Sequence, residues 1–150
     1  MKTRLIFILL VVLFCVSARP VPEIVSSGII HSVQNFPSKF VQTRNVHIWL
    51  PDGYNTDIKY PVLYMHDGHM LFDATHTWNN QEWGVDEVAT KLMSDGTVRP
   101  FIVVGIDSID ETRYVEYFPE KAQEYAKKGQ EKVPEAFLEI DFLADKYLQF

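Results

Sequence analysis

One cysteine occurs in 150 residues, Cys15, and it lies inside an N-terminal apolar run. A domain beginning after that run has no thiol, which excludes disulfides, thiolate metal sites and cysteine nucleophiles. An exported chain without disulfides must rely on its core. Positive charge is also scarce: 14 Lys and Arg stand against 20 Asp and Glu, a formal charge of −6. Such a chain has no electrostatic reason to seek nucleic acid or an anionic membrane. Long apolar runs are missing as well. The longest, Leu5 to Phe14, falls short of the roughly 20 residues a bilayer-spanning helix needs.

That short run has a different use. Lys2 and Arg4 precede it, and Val16-Ser17-Ala18 supplies small residues behind it. The pattern is that of a signal peptide, residues 1–18, cleaved after Ala18, so the mature chain is expected to be secreted or periplasmic, without stable membrane insertion. Removing Lys2 and Arg4 lowers the basic count from 14 to 12 and moves the charge from −6 to −8. Residues 19–150 suit one small domain. Aromatic residues at 13% argue for a buried core rather than disorder.

Along that domain, Ile29–Gln34 alternates weakly, as a first edge strand would. Val46–Leu50 alternates better, with Val46, Ile48 and Leu50 on one face and His47 and Trp49 on the other. Pro61–Met65 and Phe101–Ile106 are short apolar runs, the pattern of strands buried on both faces of a parallel sheet. Between them Val85, Val88, Ala89, Leu92 and Met93 recur at helical spacing. Gly96 follows, where a left-handed cap is expected. Asp86 falls in the first helical turn, where a negative charge suits the dipole. Strand, helix and strand in this order make a parallel βαβ unit, so the fold class is α/β. Glu120–Lys128 reads as an exposed helix or a covering loop. Pro134 opens a last helical segment that stops at Phe150 without a closing Gly, Asn or Pro, which suggests a fragment.

The densest chemistry is His66-Asp67-Gly68-His69, with Asp73, His76 and Trp78 soon after. It begins where an apolar strand ends, the place where open α/β sheets bind ligands. Gly68 is suited to a conformation that a side chain would forbid, and a tight turn there can aim main-chain N–H groups at a developing oxyanion. Simpler roles stand beside this one. His66 suits a hydrogen-bonded strand end, Asp67 a carboxylate supporting the loop, and Asp73 a turn. Trp78 and Trp83 either line a pocket or pack under the helix start. His31 and His47 have no partner near in sequence and read as ordinary surface or half-buried residues.

Five blocks in register carry a resemblance: VHIWLPDGY, KYPVLYMHDGHMLFD, WNNQEWGVDEVATKL, PFIVVGID and RYVEYFP, together spanning Val46 to Pro119. They resemble the putative esterase (esterase D-like) family of α/β hydrolases. That group includes feruloyl and acetyl xylan esterases, siderophore esterases and mycolyltransferases. The resemblance implies an α/β-hydrolase fold, a mostly parallel sheet flanked by helices, and a carboxylic-ester hydrolase acting through an acyl-enzyme without a cofactor. Its substrate would be a small-molecule or carbohydrate-linked ester.

The resemblance also implies that the residue after Asp67-Gly68 gives its backbone N–H to the oxyanion hole, which here is His69. Family members often carry Gln-Asn where this chain has His69-Met70, so only the backbone role carries over. Arg113, Glu116 and Tyr117 match the family's Arg-x-x-Glu-Tyr element and are expected to hold the loop rather than perform chemistry. The family's serine sits in a Gly-x-Ser-x-Gly elbow, and no such pentapeptide occurs here. Serine, acid and histidine of the triad are therefore expected beyond Phe150, leaving residues 19–150 inactive alone. Two other classes remain open. One is a metal-dependent hydrolase using His66, His69 and His76 with Asp67 and Asp73. The other is a non-catalytic exported binding domain on the same scaffold.

Overall fold

The computed structural model describes residues 23–119, 128 and 144–149. Residues 1–18, where a signal peptide is expected, lie outside these residues. So do most of the segment from Glu120 to Lys128 and most of the last helical segment.

Four strands form one sheet: β1 (Ile29–Phe36), β2 (Arg44–Leu50), β3 (Val62–His66) and β4 (Ile102–Ile106). Their order is β1-β2-β4-β3, with β1 to β2 and β2 to β4 antiparallel and β3 to β4 parallel. Helix α1 (Val85–Ser94) joins β3 to β4, giving the expected βαβ unit. Gly96, just past it, has φ +73° and supplies the left-handed cap. Two short helices complete the elements used below: α2 (Arg113–Tyr117) and α3 (Ala144–Tyr147). Among the described residues no helix is long and apolar enough to cross a membrane.

The core lies between the sheet and α1. Trp49, Leu71, Phe72, Ala89 and Val103 are its buried members, with Val25, Met65, Val85 and Met93 packed around them. Trp49 therefore marks the inward face of β2, and His47, two residues before it, shares that face and is buried. This corrects the reading of His47 as an ordinary surface or half-buried residue. Polar identity suggested solvent, but the period of the strand is set by Trp49. The opposite face carries Val46 and Ile48 beside Val104 and Ile106, lining an apolar cavity of about 620 Å³ with Tyr147 and Leu148.

Two further expectations are corrected. Strand β3 pairs only with β4, and its Val62, Leu63 and Tyr64 are exposed. It is an edge of the described sheet, not a strand covered on both faces. On α1, Val88 is 56% exposed, while Asp86 is fully buried and Ala89 nearly so. The helix is rotated relative to the stripe read from sequence because Asp86 points at the N-terminal arm, where its Oδ2 accepts from the Ser26 N–H at 2.8 Å.

Asp86 thus does more than complement the helix dipole, and it is poorly satisfied. Its Oδ1 is buried without a hydrogen-bond partner, and burial pushes its pKa from 3.8 up to about 6. A carboxyl whose folded pKa is raised contributes stability below its unfolded pKa, and that contribution is lost as pH rises through about 6. Glu87 beside it adds to the rise, so ionising Asp86 at neutral pH works against the dipole contact. Asp86→Asn keeps the acceptor for Ser26 and carries no charge. It should raise the unfolding free energy from urea melts at pH 7 by about 1–2 kcal/mol and give nothing near pH 4. An equal gain at both pH values would sink the account.

Candidate active site

The strand β3 ends at His66, and the chain turns at once. Asp67 has φ 53° and ψ 47°, the left-handed region, so it and not Gly68 takes the strained conformation. A non-glycine residue held there costs about 1 kcal/mol or more and needs anchoring. The anchor is α2. Arg113 donates to Asp67 through Nε at 2.9 Å and through Nη2 at 2.8 Å, a bidentate pair. Tyr117, one turn on, accepts the Asp67 N–H and donates to Oδ1, both at 3.3 Å. Burial alone would raise the Asp67 carboxyl, but the Arg113 guanidinium outweighs it and holds the group below the ordinary carboxylate range.

Gly68 is required for a different reason from the one expected. A Cβ there would lie 2.8 Å from the Gly105 carbonyl carbon and 2.8 Å from Asp107 Oδ1. The loop is pressed onto the end of β4, and only a hydrogen fits. A 3-10 turn over Gly68–Met70 follows, with the Met70 N–H donating to the Asp67 carbonyl at 2.8 Å. Met70, Leu71 and Phe72 bury their side chains in the core beneath it. The Met70 and Leu71 carbonyls accept from Trp83 and Val85, tying the loop to the start of α1. Within this frame the His69 N–H finds no acceptor among the described residues. The loop is immobilised at several points and leaves that donor available.

The other nominated residues divide between two places. His66 Nδ1 lies 3.0 Å from the Tyr147 hydroxyl, and its ring stacks at 5.1 Å from both Tyr117 and Tyr147. His69 and His76 instead line a polar cleft of about 350 Å³ together with Asp73. The histidines of the metal reading are thus separated by the loop itself. Among the described residues no three His, Asp or Glu side chains form a group that could hold a metal ion. Asp73 caps the short turn Ala74–His76, accepting from Thr75, and also binds the Ile24 N–H of the arm at 2.7 Å.

Glu116 turns away from the loop to Arg44 on β2, at 2.8 and 2.9 Å. It therefore anchors α2 to the sheet, and α2 in turn anchors Asp67. Trp78 is 82% exposed, so it does not pack under the helix start. Sequence reasoning missed Arg44, Asp107, Glu23 and the role of His47. The signal that was present was the shared face of His47 and Trp49, while the carboxylates that meet His47 lie 24 and 60 residues away.

Comparison with known proteins supplies the wider setting. The family model described as putative esterase matches residues 38–150. Among solved structures, the chain is similar to a ferulic acid esterase from the anaerobic fungus Anaeromyces mucronatus in the absence of substrate. That match has 26% identity and a TM-score of 0.42, covering 55% of this chain and 30% of the other. The same enzyme in complex with ferulic acid matches at 20% identity and a TM-score of 0.42, covering 69% and 44%. A feruloyl esterase module from Clostridium thermocellum complexed with sinapinate matches at 20% identity and a TM-score of 0.41, covering 73% and 41%. The chain spans less than half the length of these structures. The sheet order, the parallel β3–α1–β4 unit and the matched residues agree with the α/β-hydrolase class expected from the sequence. The chain belongs to the putative esterase family.

Proposed function

We propose that this chain supplies the oxyanion side of an exported serine carboxylic-ester hydrolase. The observation that carries the reading is the His69 N–H, without an acceptor among the described residues, on a loop locked by Asp67 and Arg113. A donor fixed before reaction stabilises charge as it develops, without reorganising at that moment. A serine, activated by a histidine that an acid orients, attacks the ester carbonyl. The carbonyl oxygen becomes an oxyanion and accepts from His69 N–H. The alcohol leaves, and water releases the acyl group from the serine. The substrate is a small-molecule or carbohydrate-linked ester, and no cofactor takes part.

Residues 1–150 contain no Gly-x-Ser-x-Gly elbow. The nucleophile and base in this reading are supplied by sequence outside them, and the chain is inactive by itself. An oxyanion hole without nucleophile and base retains only a remnant of catalysis. The metal-dependent alternative is the less favoured reading: His66 contacts Tyr147, whereas His69 and His76 line the cleft.

The test uses both residues 19–150 and the product of the full reading frame that contains them. A fluorophosphonate should label the longer product only, and only that product should release p-nitrophenol from p-nitrophenyl acetate. His69→Pro removes the donor. It should lower kcat by about 10²–10³-fold, while His69→Ala, which keeps the N–H, should stay within about tenfold. Labelling of the short chain, or a His69→Pro variant with unchanged kcat, would overturn the proposal.

A further inference from the structure

Beside the oxyanion loop lies a buried ionic group that the proposed chemistry does not use. His47 on β2 is enclosed, its side chain 8% exposed. Its Nδ1 lies 2.6 Å from Glu23 Oε1 on the N-terminal arm and 2.9 Å from Ser32 Oγ on β1. Its Nε2 lies 2.9 Å from Asp107 Oδ1, at the end of β4. A neutral imidazole has one N–H and one lone pair, so it would turn that lone pair on one of the two carboxylates. With a carboxylate oxygen on each nitrogen, the arrangement is satisfied only when both nitrogens carry hydrogen.

Asp107 connects this cation to the loop. The oxygen that His47 holds is the one lying 2.8 Å from where a Gly68 Cβ would stand, and it is 3.8 Å from His69 Nδ1. Its backbone is tied in turn, since the Asp107 N–H donates to the Asn45 carbonyl at 3.1 Å. Glu23, Asp73, Asp107, His69 and His76 are the titratable groups on the cleft that His47 faces. Three are carboxylates, so the surroundings favour positive charge on the ring.

We infer that His47 is a positioning residue for the oxyanion loop, an imidazolium that holds the Asp107 carboxylate against the back of Gly68 and His69. The inference rests on the proposed role of His69. Burial alone would lower the His47 pKa, but Asp107 and Glu23 outweigh it and raise it to about 9. The charge is therefore present at neutral pH and lost as pH rises through about 9. Once it is lost, one N–H must serve two carboxylates; in the tautomer that keeps it on Nδ1, Asp107 faces a lone pair at Nε2, and the nearest histidine nitrogen left to it belongs to His69. The carboxylate then pulls on the loop it had supported.

Nitrogen NMR of the histidine rings, with His47 assigned by its loss in His47→Gln, reads the first step without any catalysis. Both ring nitrogens of His47 should remain protonated through pH 8, and the backbone amide of His69 should shift with the same midpoint near 9. A single-proton pattern at pH 7, or a His69 amide that ignores the titration, overturns the inference. In the full reading-frame product, His47→Gln should lower kcat about tenfold with KM nearly unchanged, and should abolish the alkaline limb of the rate profile. Adding Asp107→Asn to it should restore much of kcat through a neutral amide pair. If the variant leaves kcat and the alkaline limb intact, the inference falls while the esterase reading stands. If the product hydrolyses no ester, that reading falls, and the ring and amide titrations still decide the structural coupling.

Discussion

Glu116→Ala should destabilise the fold by about 3–5 kcal/mol, the range for breaking a buried ion pair by removing one partner. Arg44 and Glu116 are each 1% exposed at the side chain and joined by two short contacts. The guanidinium cannot shed its proton to escape burial. Among its other partners, the Gln42 and Asp107 carbonyls and the Tyr147 ring at 4.9 Å carry no formal negative charge. A small domain has only about 5–15 kcal/mol of stability in total, so this loss should be plain in a urea melt at pH 7. The double change Arg44→Met with Glu116→Leu should lose much less, because desolvation of both ions is removed together. A Glu116→Ala variant within 1 kcal/mol of the parent would show that water reaches Arg44. The change also bears on the site: Glu116 lies between Arg113 and Tyr117 on α2, so freeing it loosens the clamp on Asp67.

Gly68→Ala should have a comparable effect on the site through a different mechanism. The added methyl meets the Gly105 carbonyl carbon at 2.8 Å, its oxygen at 3.0 Å and Asp107 Oδ1 at 2.8 Å. Two of those atoms are backbone in a central strand and cannot step aside. Overpacking of this kind costs about 1–3 kcal/mol, and here the loop rather than the sheet should move. The expected result is a lower melting temperature together with a shifted His69 amide. In the full reading-frame product, kcat should fall by about 10²-fold, since a misplacement near 1 Å has that consequence. Unchanged His69 amide and kcat values would mean that the loop is not held by this contact. Gly105→Ala tests the same contact from the other side, where the methyl meets Gly68 Cα at 3.1 Å and the end of Leu71 at 2.8 Å.

By itself the sequence determined the α/β class, the four strands, the helix between β3 and β4 with its Gly96 cap, and the address of the loop at His66–His69. These depend on periodicity and turn chemistry acting over a few residues, and family resemblance added the order of the blocks. The tertiary structure decided which face of β2 points inward, because Trp49 and not the polarity of His47 sets the burial. It decided that Asp67 bears the left-handed turn while Gly68 answers a close approach. It also decided that Arg44 meets Glu116 across 72 residues and that His47 meets Asp107 across 60. Charge pairs of that kind leave no local trace in a sequence. A partner becomes identifiable only when the sheet register brings the ends of β2 and β4 together and burial makes an unpaired ion too costly to keep.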